Sequence, residues 1–517
     1  MLFLNLILSL LGESKVEYIG KIVGIHAALL HTGKVLLFSY PSRHREHSGT
    51  TNHEHGIFGS ASHHGVYEII DPENWTGESE KIERNIFCGG NCFLGNGDLF
   101  VSGGQWQAIH NPLLLFDPPS ICNYVFDNKN WKLQKRTLFA RWYPTCVMLP
   151  NGNALIISGA AGIYGLRKIG PIDLVNRKLE LFDQKTGLRT LQRIPFRINV
   201  YPFMHVLPNN RIFVHSERTT RIYNHQTNRW NSNHDDKNIL EIKTQYEYPR
   251  TNPVQGTSVL LPFRLSKNEK YATIMIIGGG GEDEDPRIDT PATATCEIIT
   301  FNDEDDAVWN KTTSMNFRRV MPDAIILPNG KILVVNGCEK GKSDEGENPV
   351  LVPELYSPEN KNWTKMTPMN VKRLYHSNGL LLPDGRVMTA GTDKEWNKGE
   401  NIHDEYRIDV FTPPYLQNDS RPEIQNVKEE VQYGEEIAIK CDQAEEILSV
   451  CLIRPSSVTH SLNTDQRYLE LQVISTTKSS LTVKIPTDPG IAPKGFYMLF
   501  ILNKGETPSK AKFLKIT

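Results

Sequence analysis

The chain has 517 residues, of which 39% are hydrophobic and 22% are charged, so we expect a folded protein and not a disordered one. Its formal net charge is −2, which excludes a nucleic-acid binder that works by bulk positive charge. No apolar run reaches the ~18 residues that a membrane-spanning helix needs, so no membrane span is predicted. At roughly 100–200 residues per domain, the length predicts two to four domains.

The chain begins with a short apolar segment. Residues 1–11 read MLFLNLILSLL, which is typical of the apolar core of a secretion signal, although no Lys or Arg precedes it. We interpret residues 1–15 as a leader segment, the alternative being a buried first strand. Secretion is also favoured by N-x-Ser/Thr sequons at Asn74, Asn310, Asn362 and Asn418. The sequence therefore predicts a secreted protein.

A repeat organises most of the chain. In each copy an apolar run leads to a turn, often Leu-Pro-Asn/Asp-Gly, and a second apolar run follows. Asn-Gly and Asp-Gly suit tight hairpins because they tolerate positive φ. Seven copies are present, starting at His26, Asn91, Pro144, Pro202, Gly256, Pro322 and Ser377. The pattern predicts an all-β fold with a seven-bladed kelch-type β-propeller over residues 16–417, a solenoid being the less favoured alternative.

The composition changes after a proline-rich linker at 411–424. Residues 421–517 contain short alternating strands, which predict a C-terminal immunoglobulin-like β-sandwich. The chain has eight cysteines and no CxxC motif, so the spacing indicates no zinc site. Cys441 and Cys451 are spaced such that they could close a hairpin.

Several repeat copies carry unusual polar residues just before the first strand. They are Cys88, Tyr143 and the pair Tyr375-His376. Because repeats of a propeller are related by rotation, equal offsets predict that these side chains lie at similar heights around one axis. A fourth candidate position is His460 in the C-terminal domain. Imidazole nitrogens and phenol oxygens together suit Cu(II).

These residues lie in motifs that resemble the copper radical oxidases, the family of galactose oxidase and glyoxal oxidase. The motifs occur in order over about 95% of the chain: FCGG, RWYPT, MPDAIILPNGKILVVNG, ELYSP, RLYHS, LLLPDGRVM, FTPPYL and THSLNTDQR. The resemblance implies one Cu(II) ion bound by Tyr143, Tyr375, His376 and His460. It also implies a thioether between Cys88 and the ring of Tyr143, which carries a tyrosyl radical. Tyr375 would be the general base, and Cys88, Tyr143 and Tyr375 the catalytic residues.

The resemblance also implies the reaction. Small aldehydes, as hydrates, or primary alcohols would be oxidised by O2 to carboxylic acids or aldehydes with release of hydrogen peroxide, which peroxidases would use. The chain looks more like the glyoxal oxidase branch, because it has no N-terminal carbohydrate-binding domain. Galactose oxidases stack a tryptophan on the cross-linked tyrosine from a loop that here reads SGAAGIYGLRK, residues 158–168, without tryptophan. Tyr164 is the candidate substitute.

Two observations leave alternatives open. Residues 42–64 hold six of the sixteen histidines, which predicts either a solvated loop or a rim for substrate entry or copper loading. The scaffold alone also fits a non-catalytic kelch-type interaction protein, or a cell-wall or carbohydrate-binding protein. A degenerate scaffold is expected to have lost at least one of the five site residues, and all five are present.

Overall fold

The computed structural model describes residues 11–42, 62, 64–105, 121–160, 175–232, 238–267, 271–281, 286–302, 307–393, 403–417 and 420–517. Most of the His-rich segment, Tyr164 and residues 1–10 of the predicted leader lie outside these ranges. From residue 12 onward, the regular elements in the described ranges are β-strands apart from short 3₁₀ turns, such as Pro414–Leu416. The all-β prediction is confirmed. Within the described ranges, no helix is long and apolar enough to cross a membrane.

The first thirty-two strands account for the repeat region. Those up to residue 230 are β1 (Glu13–Ile19), β2 (His26–Leu29), β3 (Val35–Ser39), β4 (Gly65–Asp71), β5 (Thr76–Ile82), β6 (Gly90–Phe93), β7 (Leu99–Ser102), β8 (Asn123–Phe126), β9 (Trp131–Leu133), β10 (Trp142–Met148), β11 (Ala154–Ala160), β12 (Lys178–Asp183), β13 (Gly187–Arg193), β14 (Phe203–Val206), β15 (Arg211–Ser216), β16 (Thr219–Asn224) and β17 (Arg229–Trp230).

The remaining strands of this region are β18 (Ile242–Lys243), β19 (Thr257–Leu260), β20 (Phe263–Arg264), β21 (Ala272–Ile277), β22 (Cys296–Phe301), β23 (Trp309–Thr312), β24 (Asp323–Ile326), β25 (Ile332–Val335), β26 (Cys338–Lys342), β27 (Glu345–Pro349), β28 (Glu354–Ser357), β29 (Asn362–Lys365), β30 (Ser377–Leu381), β31 (Val387–Gly391) and β32 (Arg407–Thr412).

These strands form seven antiparallel units of four strands each, here called sheets one to seven. The units are β2–β5, β6–β9, β10–β13, β14–β17, β19 with β21–β23, β24–β25 with β28–β29, and β30–β32 with β1. Each repeat copy found in the sequence supplies the first hairpin of one sheet. Strand β1 completes sheet seven by pairing with β32, so residues 13–15 of the predicted leader segment are part of a strand.

The hairpin turns follow from the sequence. Gly97 and Gly152 have φ of 95° and 88°, in the left-handed region that glycine enters without steric cost. The amide of Gly97 donates to Leu94 O, and that of Gly152 donates to Leu149 O, closing each turn. The flanking strands are buried throughout, as in β3, where all five residues are buried. Burial of these apolar strands between neighbouring sheets provides the core.

The innermost strands contact one another in a circuit. Strand β6 contacts β10, and the contacts continue through β14, β19, β24 and β30 to β2. Between β2 and β6 lies β37, a strand of the C-terminal region, which contacts both. The C-terminal region therefore inserts a strand among the innermost strands of the repeat region.

The turns before the innermost strands are held by buried ion pairs. In three sheets an arginine of this turn reaches a glutamate on the third strand, and all six side chains are at most 1% exposed. Loss of one partner from such a buried pair costs about 3–5 kcal/mol, so each pair fixes its turn. The pairs are Arg141–Glu180 at 2.7 Å, Arg250–Glu297 at 2.8 Å and Arg319–Glu354 at 3.2 Å.

The C-terminal region contains two sheets of its own. One has the order β33-β35-β41-β40, and the other has the order β20-β39-β36-β42-β43-β34, in which β20 comes from the repeat region. The strands are β33 (Ile424–Asn426), β34 (Glu430–Val431), β35 (Glu436–Cys441), β36 (Ile447–Ile453), β37 (Ser457–Thr459), β38 (Leu462–Asn463), β39 (Tyr468–Glu470), β40 (Gln472–Thr476), β41 (Ser480–Lys484), β42 (Gly495–Asn503) and β43 (Lys512–Ile516).

The expected Cys441–Cys451 hairpin is wrong. Cys441 ends β35 in one sheet, whereas Cys451 lies in β36 of the other, so the two strands do not pair. The Cys451 thiol donates instead to Pro328 O at 3.4 Å. The spacing of ten residues permitted a hairpin, but the chain crosses between sheets through the short 3₁₀ turn Ala444–Glu446.

Candidate metal centre

Five buried residues that lie close together have their backbone in the left-handed region. Four come from the turns before four of the sheets, and one comes from the turn between β37 and β38. This conformation costs roughly 1–2 kcal/mol for a residue with a side chain, and it persists only where the surroundings enforce it. These residues are Cys88 (φ 65°), Tyr143 (64°), Tyr201 (47°), His376 (65°) and His460 (50°). The first four each lie six residues before the leucine of their hairpin turn, a place that we call the inner-turn position.

The five residues predicted from the sequence come together. One ligand atom from each of Cys88, His376 and His460 lies within 4.8 Å of the other two, and Cys88 Sγ is 3.9 Å from His460 Nε2. The hydroxyl groups of Tyr143 and Tyr375 are in hydrogen-bond contact with each other. All five side chains are buried. Three of them, Cys88, Tyr143 and His376, share one offset in the repeat.

Each histidine is oriented through its Nδ1 atom. His376 Nδ1 lies 2.7 Å from Asp393 Oδ2, and the same oxygen accepts a hydrogen bond from the Tyr40 hydroxyl at 2.7 Å. His460 Nδ1 lies 2.5 Å from the Thr459 hydroxyl oxygen. A partner on Nδ1 fixes the ring and directs Nε2 to a metal, which is the usual arrangement around metal-bound histidines.

A further histidine, His26, supports Cys88 and was missed in the sequence. His26 Nε2 accepts the hydrogen bond of the Cys88 amide at 3.1 Å, and Nδ1 lies 3.0 Å from Asn91 Oδ1. Burial lowers the pKa of His26 from 6.5 to about 3, so the ring is neutral and can accept from an amide. His26 begins the first repeat copy, but nothing in its spacing distinguished it from a core residue.

The ring of Tyr143 is covered on both faces. Trp142 stacks on it with centroids 3.7 Å apart and 16° between planes, and Tyr201 stacks with centroids 4.4 Å apart and 21° between planes. The Tyr201 hydroxyl donates to Gly89 O at 3.0 Å, which holds that ring in place. Tyr201 was missed in the sequence, although VYPF repeats the Tyr-Pro of WYPT at the same offset from its turn.

Burial dominates the electrostatics of the centre. It raises the pKa of the Cys88 thiol and of the Tyr143 and Tyr375 phenols well above their usual values. It lowers the pKa of His460 well below its usual value, and the neighbouring imidazoles of His376 and His26 add to this. Without a cation nearby, the phenols are therefore protonated and His460 is neutral at neutral pH.

The donor set fits copper. Two imidazole nitrogens and two phenol oxygens, gathered in a buried site with a thiol beside them, are ligands that suit Cu(II). A bound cation favours ionised phenols and thereby reverses the effect of burial on their pKa. Asp393 and Thr459 also fit this purpose, because each contacts a histidine ring at Nδ1 and not at Nε2.

Comparisons with known proteins agree with this centre. Residues 25–415 match the family model described as glyoxal oxidase N-terminus, and residues 421–516 match the galactose oxidase-like Early set domain. An aldehyde oxidase GLOX of Vitis pseudoreticulata is 29% identical over 84% of this chain and 83% of its own length. A galactose oxidase of Gibberella zeae is 33% identical over 47% of this chain and 36% of its own length.

The fold is also shared with a solved structure. A fungal alcohol oxidase in complex with copper superimposes with a TM-score of 0.76 at 22% identity, covering 98% of this chain and 100% of that one. The match of the first family model extends over most of the chain, and the site residues predicted from the family motifs meet in one place. The chain therefore belongs to the glyoxal oxidase family and is a copper-dependent oxidoreductase.

Proposed function

We propose that this protein is a copper radical oxidase whose metal ligands are Tyr143, Tyr375, His376 and His460 and whose catalytic residues are Cys88, Tyr143 and Tyr375. It oxidises small aldehydes, as their hydrates, or primary alcohols with O2, giving carboxylic acids or aldehydes and hydrogen peroxide. The observation that carries the proposal is the convergence of all five side chains in one buried site. A non-catalytic scaffold has no need to retain this arrangement.

The protein's own groups prepare the reaction. Bound copper supplies one of the two oxidising equivalents and the charge that ionises the phenols. Tyr375, once ionised by that charge, takes the hydroxyl proton of the substrate. Its oxygen lies in hydrogen-bond contact with that of Tyr143. His376 and His460 present Nε2, held by their Nδ1 partners. Burial excludes water and so protects the reactive groups.

The second oxidising equivalent is stored on Tyr143 after it is joined to Cys88. The cross-link forms one bond between Cys88 Sγ and a ring carbon of Tyr143, while the S–H bond and one ring C–H bond are lost. Two electrons and two protons pass to O2, which leaves as hydrogen peroxide. The backbone supports this pairing, because the Tyr143 amide donates to Cys88 O at 3.0 Å. Stacking by Trp142 and Tyr201 shields the ring that holds the radical.

We also propose that the seven sheets are the blades of a closed kelch-type propeller over residues 16–417 and that residues 421–517 form an immunoglobulin-like sandwich. The circuit of contacts among innermost strands supports the propeller, and the two C-terminal sheets support the sandwich. In this arrangement β37 delivers His460 to the axis: its pairing with β2 places Thr459 opposite His26. The C-terminal domain thus completes the centre.

The proposal extends to the surroundings of the enzyme. The apolar start of the sequence and its sequons favour secretion, and peroxidases are the expected users of the hydrogen peroxide. The names of the relatives, aldehyde oxidase among them, favour aldehydes as substrates.

The test is peroxide release by the copper-loaded protein from a panel of small aldehydes and primary alcohols. Tyr375→Phe keeps the ring and removes the oxygen that accepts the proton, so we expect kcat to fall by ~100- to 10,000-fold. Tyr356→Phe is the matched control, because Tyr356 is equally buried but lies in β28. Peroxide release that is absent from the wild type, or unaffected in Tyr375→Phe, would contradict the proposal.

A further inference from the structure

A hairpin of sheet six reaches the metal centre with an acidic residue at its turn. Strands β26 and β27 leave the sheet between β25 and β28 and are joined by the two-residue turn Ser343-Asp344. Asp344 is in the left-handed region, with φ of 71°. It is only partly buried, whereas the five site residues are buried, so part of its side chain is open to solvent.

The turn is held on both sides. On the side of sheet five, the Ser343 amide donates to Pro253 O at 2.6 Å, and its hydroxyl donates to Gln255 Oε1 at 2.8 Å. Gln255 occupies the inner-turn position of sheet five. On the side of sheet seven, Gly346 of the hairpin packs against Leu374, the residue just before Tyr375. A Cβ atom added to Gly346 would lie 3.4 Å from Leu374 Cδ2. Asp344 therefore lies between the inner turns of sheets five and seven.

The charge of Asp344 acts on the centre. Burial is the largest cause of the raised pKa of Tyr375, and the negative charge of Asp344 is the second largest. The same charge contributes to the raised pKa of Cys88 and of Tyr143. Burial raises the pKa of Asp344 itself from 3.8 to about 6, so the carboxyl group is ionised at neutral pH and above. Nothing in the assignment of metal ligands or of the general base uses this carboxylate.

We propose that Asp344 selects substrates by charge, so that the centre takes neutral or cationic primary alcohols and hydrated aldehydes and rejects those with a carboxylate beside the reacting carbon. A hydrated aldehyde has a second hydroxyl that can donate to the Asp344 carboxylate. A substrate carboxylate would instead meet a like charge in a poorly solvated site, where repulsion is only weakly screened. This inference rests on the proposed oxidase function.

The test compares two substrates of similar size that differ in charge, methylglyoxal and glyoxylate. At about pH 8, where Asp344 is ionised, the wild type should prefer methylglyoxal. Asp344→Asn should raise the glyoxylate/methylglyoxal ratio of kcat/KM by about tenfold, and Asp344→Glu should preserve the wild-type preference. Added salt should change the preference of the wild type little, because a charge pair in a poorly solvated site is only weakly screened.

Glu345→Gln is the matched control. It removes one negative charge from the residue next to Asp344, but Glu345 faces Lys342, with the charged atoms 3.9 Å apart. We expect it to leave the substrate ratio unchanged. An equal change in both variants would mean that the net charge of the hairpin matters and not Asp344, and would overturn the proposal.

A binding measurement separates this inference from the oxidase function. Pyruvate carries a carboxylate but no aldehyde hydrogen, so its binding to the copper-loaded protein can be followed by visible absorption without turnover. Asp344→Asn should bind pyruvate about tenfold more tightly than the wild type. Unchanged pyruvate binding, or loss of copper from Asp344→Asn, would overturn the role of Asp344 even if the wild type is an active oxidase. Tighter pyruvate binding would support it even in a protein that releases no peroxide.

Discussion

Asp393→Asn tests how the centre holds its histidine ligand. Asp393 Oδ2 is 2.7 Å from His376 Nδ1, and both side chains are at most 1% exposed. A hydrogen bond to a charged group contributes about 1.5–3 kcal/mol net, which corresponds to about 10- to 100-fold in an equilibrium constant. We therefore expect copper affinity, measured by competition with a chelator, to fall about 10- to 100-fold. Tyr40→Phe, which removes only the second hydrogen bond to Asp393, should have a smaller effect.

The matched control is Asp323→Asn. Asp323 is also a buried aspartate with one amide partner, Asn336 Nδ2 at 2.8 Å, but it lies in β24. Copper affinity should be the same as in the wild type. Equal affinities in Asp393→Asn and the wild type would show that the carboxylate does not orient the ligand, and would refute this reasoning.

Two further predictions concern other parts of the molecule. Tyr201→Leu removes one of the two rings stacked on Tyr143. The radical form of Tyr143 should therefore form at a higher potential, measured by spectroelectrochemistry, and should decay faster. An unchanged potential would exclude a role for the stacking. Burial lowers the pKa of His205 from 6.5 to about 3. Below pH 6.5 the unfolded chain therefore binds a proton that the folded chain does not. The free energy of unfolding consequently falls as the pH falls from 6.5 towards 3. His205→Gln should lessen this loss by up to ~1.4 kcal/mol per pH unit in denaturant unfolding, and an unaltered slope would contradict it.

The repeat made much of the fold predictable. Each hairpin is specified locally, by an apolar run, a turn residue that tolerates positive φ and a second apolar run, so all seven hairpins were found from the sequence. The same periodicity placed Cys88, Tyr143 and His376 at equivalent positions. It would also have found Tyr201, had the Tyr-Pro pair been compared between copies.

The supporting residues could not be found in this way. His26 acts through a contact between segments that are far apart in the chain, with the Cys88 amide. Asp393 contacts His376 from 17 residues away, and Thr459 contacts the adjacent His460. Their residue types are common in ordinary strands and turns, and no offset marks them. Asp344 is similar, because the hairpin that carries it is an insertion between the second and third strands of sheet six. Such contacts become visible only when the sheets are assembled.

The central claim is that Cys88 and Tyr143 form a redox cofactor in a copper site. The most direct measurement is mass spectrometry of the denatured, proteolysed protein before and after incubation with Cu(II) in air. The account predicts a peptide pair joined through Cys88 and Tyr143 and lighter than the sum of its parts by two hydrogen atoms, absent from Cys88→Ser and still formed in the control Cys296→Ser, whose thiol is buried elsewhere. An unmodified Cys88 in protein that has bound copper would contradict it.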